Sequence, residues 1–104
     1  MRDLTAFQRD ILFVTARLDE PKGLDIKDAL ERYYQKEVRH GRLYPNLDTL
    51  VVKALLEKGQ HDQRTNKYIL TDRGRQELEA RVEWELSNLT DEIKAGIQPL
   101  SNQS

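Results

Sequence analysis

The residue types best suited to partner chemistry lie between His40 and Lys53, in HGRLYPNLDTLVVK. At about 100° per residue, Arg42, Asn46, Thr49 and Lys53 fall within about 60° of one another on a helical wheel. Leu43, Leu47, Leu50, Val51 and Ala54 gather on another side. One stripe can pack while the other reaches outward. Arg and Asn are the side chains able to contact guanine and adenine edges bidentately, so the segment reads as a recognition helix for double-stranded DNA. A helix face kept polar only for solubility carries the same residue types, so the surroundings must decide.

Those surroundings are basic. The chain of 104 residues has a net charge of -1, unpromising for a nucleic-acid binder, whose usual footprint is basic, but the charge is unevenly distributed. From Lys36 to Arg75 there are nine Lys or Arg against five Asp or Glu; the remainder holds eight against thirteen. Arg64, Asn66 and Lys67 add cations and an amide downstream of the helix. Arg42 and Asn46 are the candidates for base readout, while Lys53, Arg64 and Lys67 are better suited to phosphates, which take flexible cations. Tyr44 either flanks this surface or turns inward with its hydroxyl at the edge. Asp48, close by, repels phosphate unless it accepts from a cytosine amino group.

Catalysis finds no foothold. His40 and His61 stand apart with no carboxylate pattern for a metal, cysteine is absent, no Gly-rich phosphate loop occurs, and Glu77, Glu79, Glu83 and Glu85 read as a solvated helix face. No enzyme activity, metal or cofactor is expected. Without cysteine there is no disulfide framework, and no apolar run approaches the roughly 20 residues of a membrane span. A cytoplasmic protein, nucleoid-associated when bound to DNA, is the expectation.

The elements that must position these residues follow from periodicity. Thr5 and Gln8 have capping-box spacing before Phe7, Ile11, Val14 and Leu18, which predicts a first helix ending at Asp19-Glu20-Pro21-Lys22-Gly23. Ile26, Ala29, Leu30 and Tyr33 predict a second helix to about Lys36. The third runs from His40 to about Ala54, with Pro45 in its first turn. Leu55–Gln60 and Lys67–Leu70 read as the arms of a β-hairpin with a polar tip at 61–66. Thr71 caps a further helix, predicted to continue unbroken to about Ile97, roughly 35 Å long. On it Val82, Leu86, Leu89 and Ile93 have the 4, 3, 4 spacing of a coiled-coil seam, with Leu78, Trp84 and Ile97 adding apolar area. The expected fold is mainly α with a small β-hairpin wing: a winged helix-turn-helix with a long C-terminal dimerisation helix. The division is 1–75 for the DNA-binding domain, 76–98 for the dimerisation helix and 99–104 for a flexible tail. Phe7, Ile11, Leu78, Val82, Leu86, Leu89 and Ile93 form the expected homodimer interface. A two-fold dimer presents its recognition helices to half-sites about 34 Å apart, implying a near-palindromic operator.

Three segments carry a resemblance. Leu43-Tyr44-Pro45 with Leu47 and Leu50, Tyr68-Ile69-Leu70-Thr71-Asp72-Arg73-Gly74, and Pro21-Lys22-Gly23-Leu24-Asp25-Ile26 resemble the signatures of the PadR family of winged-helix transcriptional regulators. The short C-terminal portion looks like the family's compact subgroup, and RHGRLYPNLDTLV is similar to haloarchaeal members. The resemblance implies DNA binding as a homodimer, with the C-terminal helical region packed or swapped between protomers, usually in repression. Two positions depart from the family pattern: Ala54 stands where a Gly usually ends the recognition helix, and Leu24 where an aromatic is common. A winged-helix adaptor that binds protein rather than DNA is the competing reading. No small-molecule effector is legible.

Overall fold

The structure, a computed structural model, describes residues 3–97; the tail expected at 99–104 lies outside the described residues. Three helices come first: α1 (Ala6–Leu18), α2 (Gly23–Tyr34) and α3 (His40–Val52). An antiparallel hairpin, β1 (Leu56–Gln60) and β2 (Asn66–Leu70), follows, then α4 (Asp72–Ser87) and α5 (Asp91–Gly96). This is a winged helix-turn-helix.

The predicted capping box is present at α1. Thr5 Oγ1 accepts from the Gln8 N–H, and Gln8 Oε1 accepts from the Thr5 N–H, each at 3.1 Å. Ile11 and Leu12 of α1, Ile26 and Leu30 of α2, and Leu43, Leu47 and Leu50 of α3 are fully buried and meet in one core. Leu56 and Tyr68 bring the hairpin onto the same core. The turn between α2 and α3 is held by Glu31. Its carboxylate accepts from the Val38 N–H at 2.8 Å and pairs with Lys27 at 3.0 Å. These two bonds hold the Glu31 carboxyl below its ordinary range, the Val38 amide more than Lys27.

Helix α3 ends in a Schellman turn. The Leu55 N–H donates to the Leu50 carbonyl at 3.0 Å and the Ala54 N–H to that of Val51 at 2.9 Å, with Ala54 at φ 63°. Ala54 therefore keeps the left-handed conformation that a glycine adopts without strain. The start of α4 docks on this turn. The Thr71 hydroxyl donates to the Ala54 carbonyl at 2.7 Å and accepts from the Gly74 N–H at 2.9 Å. At Gly74 a Cβ would lie 2.3 Å from the Leu55 carbonyl oxygen, so the close approach demands glycine.

Three expectations are corrected. The single long C-terminal helix is broken: α4 stops at Ser87, where the Asn88 side chain donates to the Trp84 carbonyl at 2.9 Å, and Thr90 opens α5 by accepting from the Ile93 N–H at 3.2 Å. Asn and Thr prefer such caps to helix interiors because their side chains compete for nearby backbone groups. Leu89 consequently lies between helices, and the seam spacing does not run along one rod. Phe7 and Ile11, expected at the dimer interface, are 5% and 0% exposed within the protomer's own core. Pro45 lies in the second turn of α3 rather than the first. There it forgoes a bond to the Gly41 carbonyl without ending the helix.

Candidate nucleic-acid interface

Leu43, Leu47 and Leu50 turn α3 toward the core, which leaves Gly41, Pro45, Asp48 and Val52 on the opposite face. Arg42, Asn46, Thr49 and Lys53 share a face, as their spacing requires, but it is the flank beside α1. The Arg42 guanidinium sits 3.9 Å above the Phe7 ring. Asn46 Oδ1 accepts from Gln8 Nε2 at 2.9 Å while its Nδ2 donates to the Arg42 carbonyl at 2.7 Å. The Thr49 hydroxyl donates to the Pro45 carbonyl at 3.0 Å, and Lys53 pairs with Asp3 at 2.7 Å. The Asp3 carboxyl is held below its ordinary range, by the hydrogen bond from Lys53 above all. Arg42 remains exposed; Asn46, Thr49 and Lys53 are half-buried.

The other flank of α3 faces the wing. Between them lies a cleft of about 400 Å³, lined by Lys22, Gly23 and Leu24 of the α2 entry, by His40, Tyr44 and Asp48 of α3, and by Lys58, Arg64, Asn66 and Tyr68 of the wing. His40 and Tyr44 stack with centroids 5.4 Å apart. Tyr44 lies across Gly23: a Cβ there would meet the phenolic oxygen at 2.5 Å, so glycine lets the ring close over the start of α2. The half-buried Tyr44 ring packs against the core and also lines the cleft. Asp48, the acid in this lining, is 3.4 Å from Lys58.

The wing tip is ordered from within. Asp62 Oδ1 accepts from the Arg64 N–H at 2.9 Å, and the Thr65 carbonyl accepts from the His61 N–H at 2.8 Å. The Arg64 amide is the main reason the Asp62 carboxyl titrates low. This Asx turn leaves the Arg64 side chain exposed at the tip. Strand period then separates two residues that the sequence grouped together. Asn66 and Tyr68 face the cleft, whereas Lys67 faces the other side and pairs with Glu20 at 2.7 Å. The Tyr68 N–H donates to the Pro21 carbonyl at 2.8 Å, tying the wing to the loop before α2.

Lys22, His40 and Lys58 belong to this surface and were not among the sequence candidates. Lys22 and Lys58 carried no periodic signal, because one sits in a loop and the other alternates along a five-residue strand. Among the described residues, no group of three or more His, Cys, Asp or Glu could hold a metal ion, and no helix is long and apolar enough to cross a membrane.

Solved structures with this geometry are similar to the chain at the level of sequence. The hsRosR-S1 complex is 55% identical, with a TM-score of 0.80, covering 83% of this chain and 76% of that chain. The structure of RosR from H. salinarum is 52% identical, with a TM-score of 0.82, covering 86% and 81%. F93 from STIV, a winged-helix DNA-binding protein, shares the fold at 20% identity, with a TM-score of 0.68 over 78% of this chain and 88% of that one. No curated protein matches. The model of the transcriptional regulator PadR-like family matches residues 11–80, covering α3 and the wing as well as most of α1 and α4. With that match and relatives above half identity, the chain belongs to the PadR-like family of transcriptional regulators.

Proposed function

We propose that the protein is a sequence-specific DNA-binding transcriptional regulator that acts as a homodimer on a near-palindromic operator and represses. The observation that carries this reading is the shared cleft, in which Lys22, Lys58 and Arg64 surround the edge of α3 that carries His40 and Tyr44. Cations from the α2 entry and the wing converge along one edge of α3, where one lip of a groove would run, and phosphate contacts of this kind set register and affinity. Arg42 supplies base readout: stacking on Phe7 occupies the face of its guanidinium and leaves the N–H edge, the part that matches guanine, for the duplex. Asn46 retains one amide hydrogen and one oxygen lone pair beyond its two internal bonds, the couple that matches adenine.

Support for the homodimer comes from α4. Val82, Trp84 and Leu86 are exposed, and Leu78, Val82 and Leu86 line a shallow apolar trough. Ile93 of α5 and Ile97 just beyond it add further exposed apolar surface. A second copy covering this surface brings two α3 helices to one face of a duplex. Repression follows the PadR resemblance, a bound dimer occluding the promoter.

The test is mobility shift of genomic fragments at two salt concentrations, with light scattering on the same protein. The reading expects a defined shifted species, affinity falling with salt, and twice the protomer mass. A protein adaptor shows no shift at either salt concentration.

A further inference from the structure

The outward face of α3 carries one acid, Asp48, drawn to the wing by Lys58 at 3.4 Å; the rest of that face is apolar. Val52 is 85% exposed, the most exposed large hydrophobic side chain among the described residues. Pro45, exposed seven residues earlier, lies on the same face, and Gly41 precedes it with nothing within 4 Å of where a Cβ would stand. This ridge points directly away from Leu43, Leu47 and Leu50, so the protomer's own core has no use for it. Charge flanks it on both sides. Arg42 and Lys53 lie along the α1 edge, and Lys58 and Arg64 along the wing edge.

An apolar centre between two cationic margins is complementary to one surface in particular. The DNA major groove, about 12 Å wide, carries phosphates along both lips, and the one apolar group on its floor is the thymine C5-methyl. A protein partner has no reason to require cations on both sides of a three-residue ridge. Valine suits the task because its χ1 is nearly fixed in a helix, so its methyls are presented at little cost in side-chain freedom. Gly41, bare of side chain, lets the groove edge approach the start of the ridge.

We propose that Val52, assisted by Pro45, is a specificity-determining residue that reads thymine C5-methyl groups in the operator. The inference rests on the DNA-binding reading above and adds a base preference to it. Arg42 and Asn46 would read hydrogen-bonding edges; Val52 would read the absence or presence of a methyl.

Removal of that methyl alone is the test. Duplexes are selected from a randomised pool by the full-length protein, and each thymine is then replaced singly by deoxyuridine, which keeps base pairing intact. Affinities are read by fluorescence anisotropy for the wild type, Val52→Ala and Val52→Thr. The expected result is that one or two positions per half-site lose about fourfold on replacement, the ratio that burial of one CH2 group gives. That loss disappears in Val52→Ala, which binds thymine and deoxyuridine duplexes alike. Val52→Thr, which swaps one methyl for a hydroxyl, falls between. Two outcomes overturn the inference while sparing DNA binding: no thymine responds to deoxyuridine, or the response persists unchanged in both variants. Failure of the wild type to bind any unmodified duplex overturns the DNA-binding reading and this inference with it.

Discussion

Gln8 donates from Nε2 to Asn46 Oδ1 across 2.9 Å, joining the first turn of α1 to the middle of α3. The same Gln8 closes the α1 capping box through its Oε1, so one 8%-exposed amide serves both helices. Glutamate would close the box equally well but has no hydrogen to give Asn46. Gln8→Ala should therefore destabilise by about 1 to 2 kcal/mol, the cost of a lost cap and a lost part-buried hydrogen bond. Adding Asn46→Ala to that variant should cost less than Asn46→Ala alone. Urea denaturation of the four-member cycle measures the coupling, and strict additivity would remove the pairing from the account.

Ala54 at φ 63° and Gly74 beneath Leu55 are two sides of one joint. Ala54→Gly is expected to stabilise by about 1 kcal/mol, relief of left-handed strain exceeding the added freedom of the unfolded chain. Gly74→Ala should cost about 3 kcal/mol or more, since a backbone carbonyl cannot step aside as a flexible side chain can. Thermal unfolding of both variants checks the opposite signs.

Glu31 provides a pH test. Its folded pKa is depressed by the Val38 amide and then Lys27, so its contribution is fully present above the unfolded value, about 4.3, and is lost as pH falls through the folded one. Wild type should melt higher than Glu31→Gln near neutrality, and the gap should close as the pH drops toward 3. A gap that stays constant across that range would assign the effect to packing rather than charge.

The cations differ in availability. Lys53 and Lys67 already hold Asp3 and Glu20 at 2.7 Å, whereas Arg64 is exposed on an ordered tip. Arg64→Ala should lower the magnitude of the log-log salt slope of DNA binding by close to 0.9, one phosphate contact, and Lys67→Ala by clearly less. Anisotropy titrations across salt would show equal changes if the ion pair with Glu20 opened freely on binding.

The proposed dimer places Val82 and Leu86 in contact with a second copy. Val82→Glu with Leu86→Glu, both at exposed positions of α4, should leave each protomer folded but halve the mass seen by light scattering. A dimer that survives both charges would move the interface elsewhere.

Much of this was open to reading along the chain, and the reason is local. The Thr5/Gln8 box, the Thr71 cap, the Leu43/Leu47/Leu50 stripe and the hairpin arms depend on neighbours within a few residues, so period and capping chemistry alone specify them. The PadR-like membership rests on such segments too. The break at Asn88–Thr90 was equally local, but an uninterrupted apolar spacing concealed two residues that favour caps. Other features required the chain to close on itself. A helical wheel separates two flanks of α3 but cannot say which of them meets α1, because that depends on how α1 and α3 pack across the core. The Gln8–Asn46, Lys53–Asp3 and Lys67–Glu20 contacts span 38, 50 and 47 residues, distances at which no periodicity speaks. The same packing assembles Lys22, His40, Lys58 and Arg64 around one cleft and leaves Val52 bare at the front, since the contacts that orient each helix are made far away in sequence.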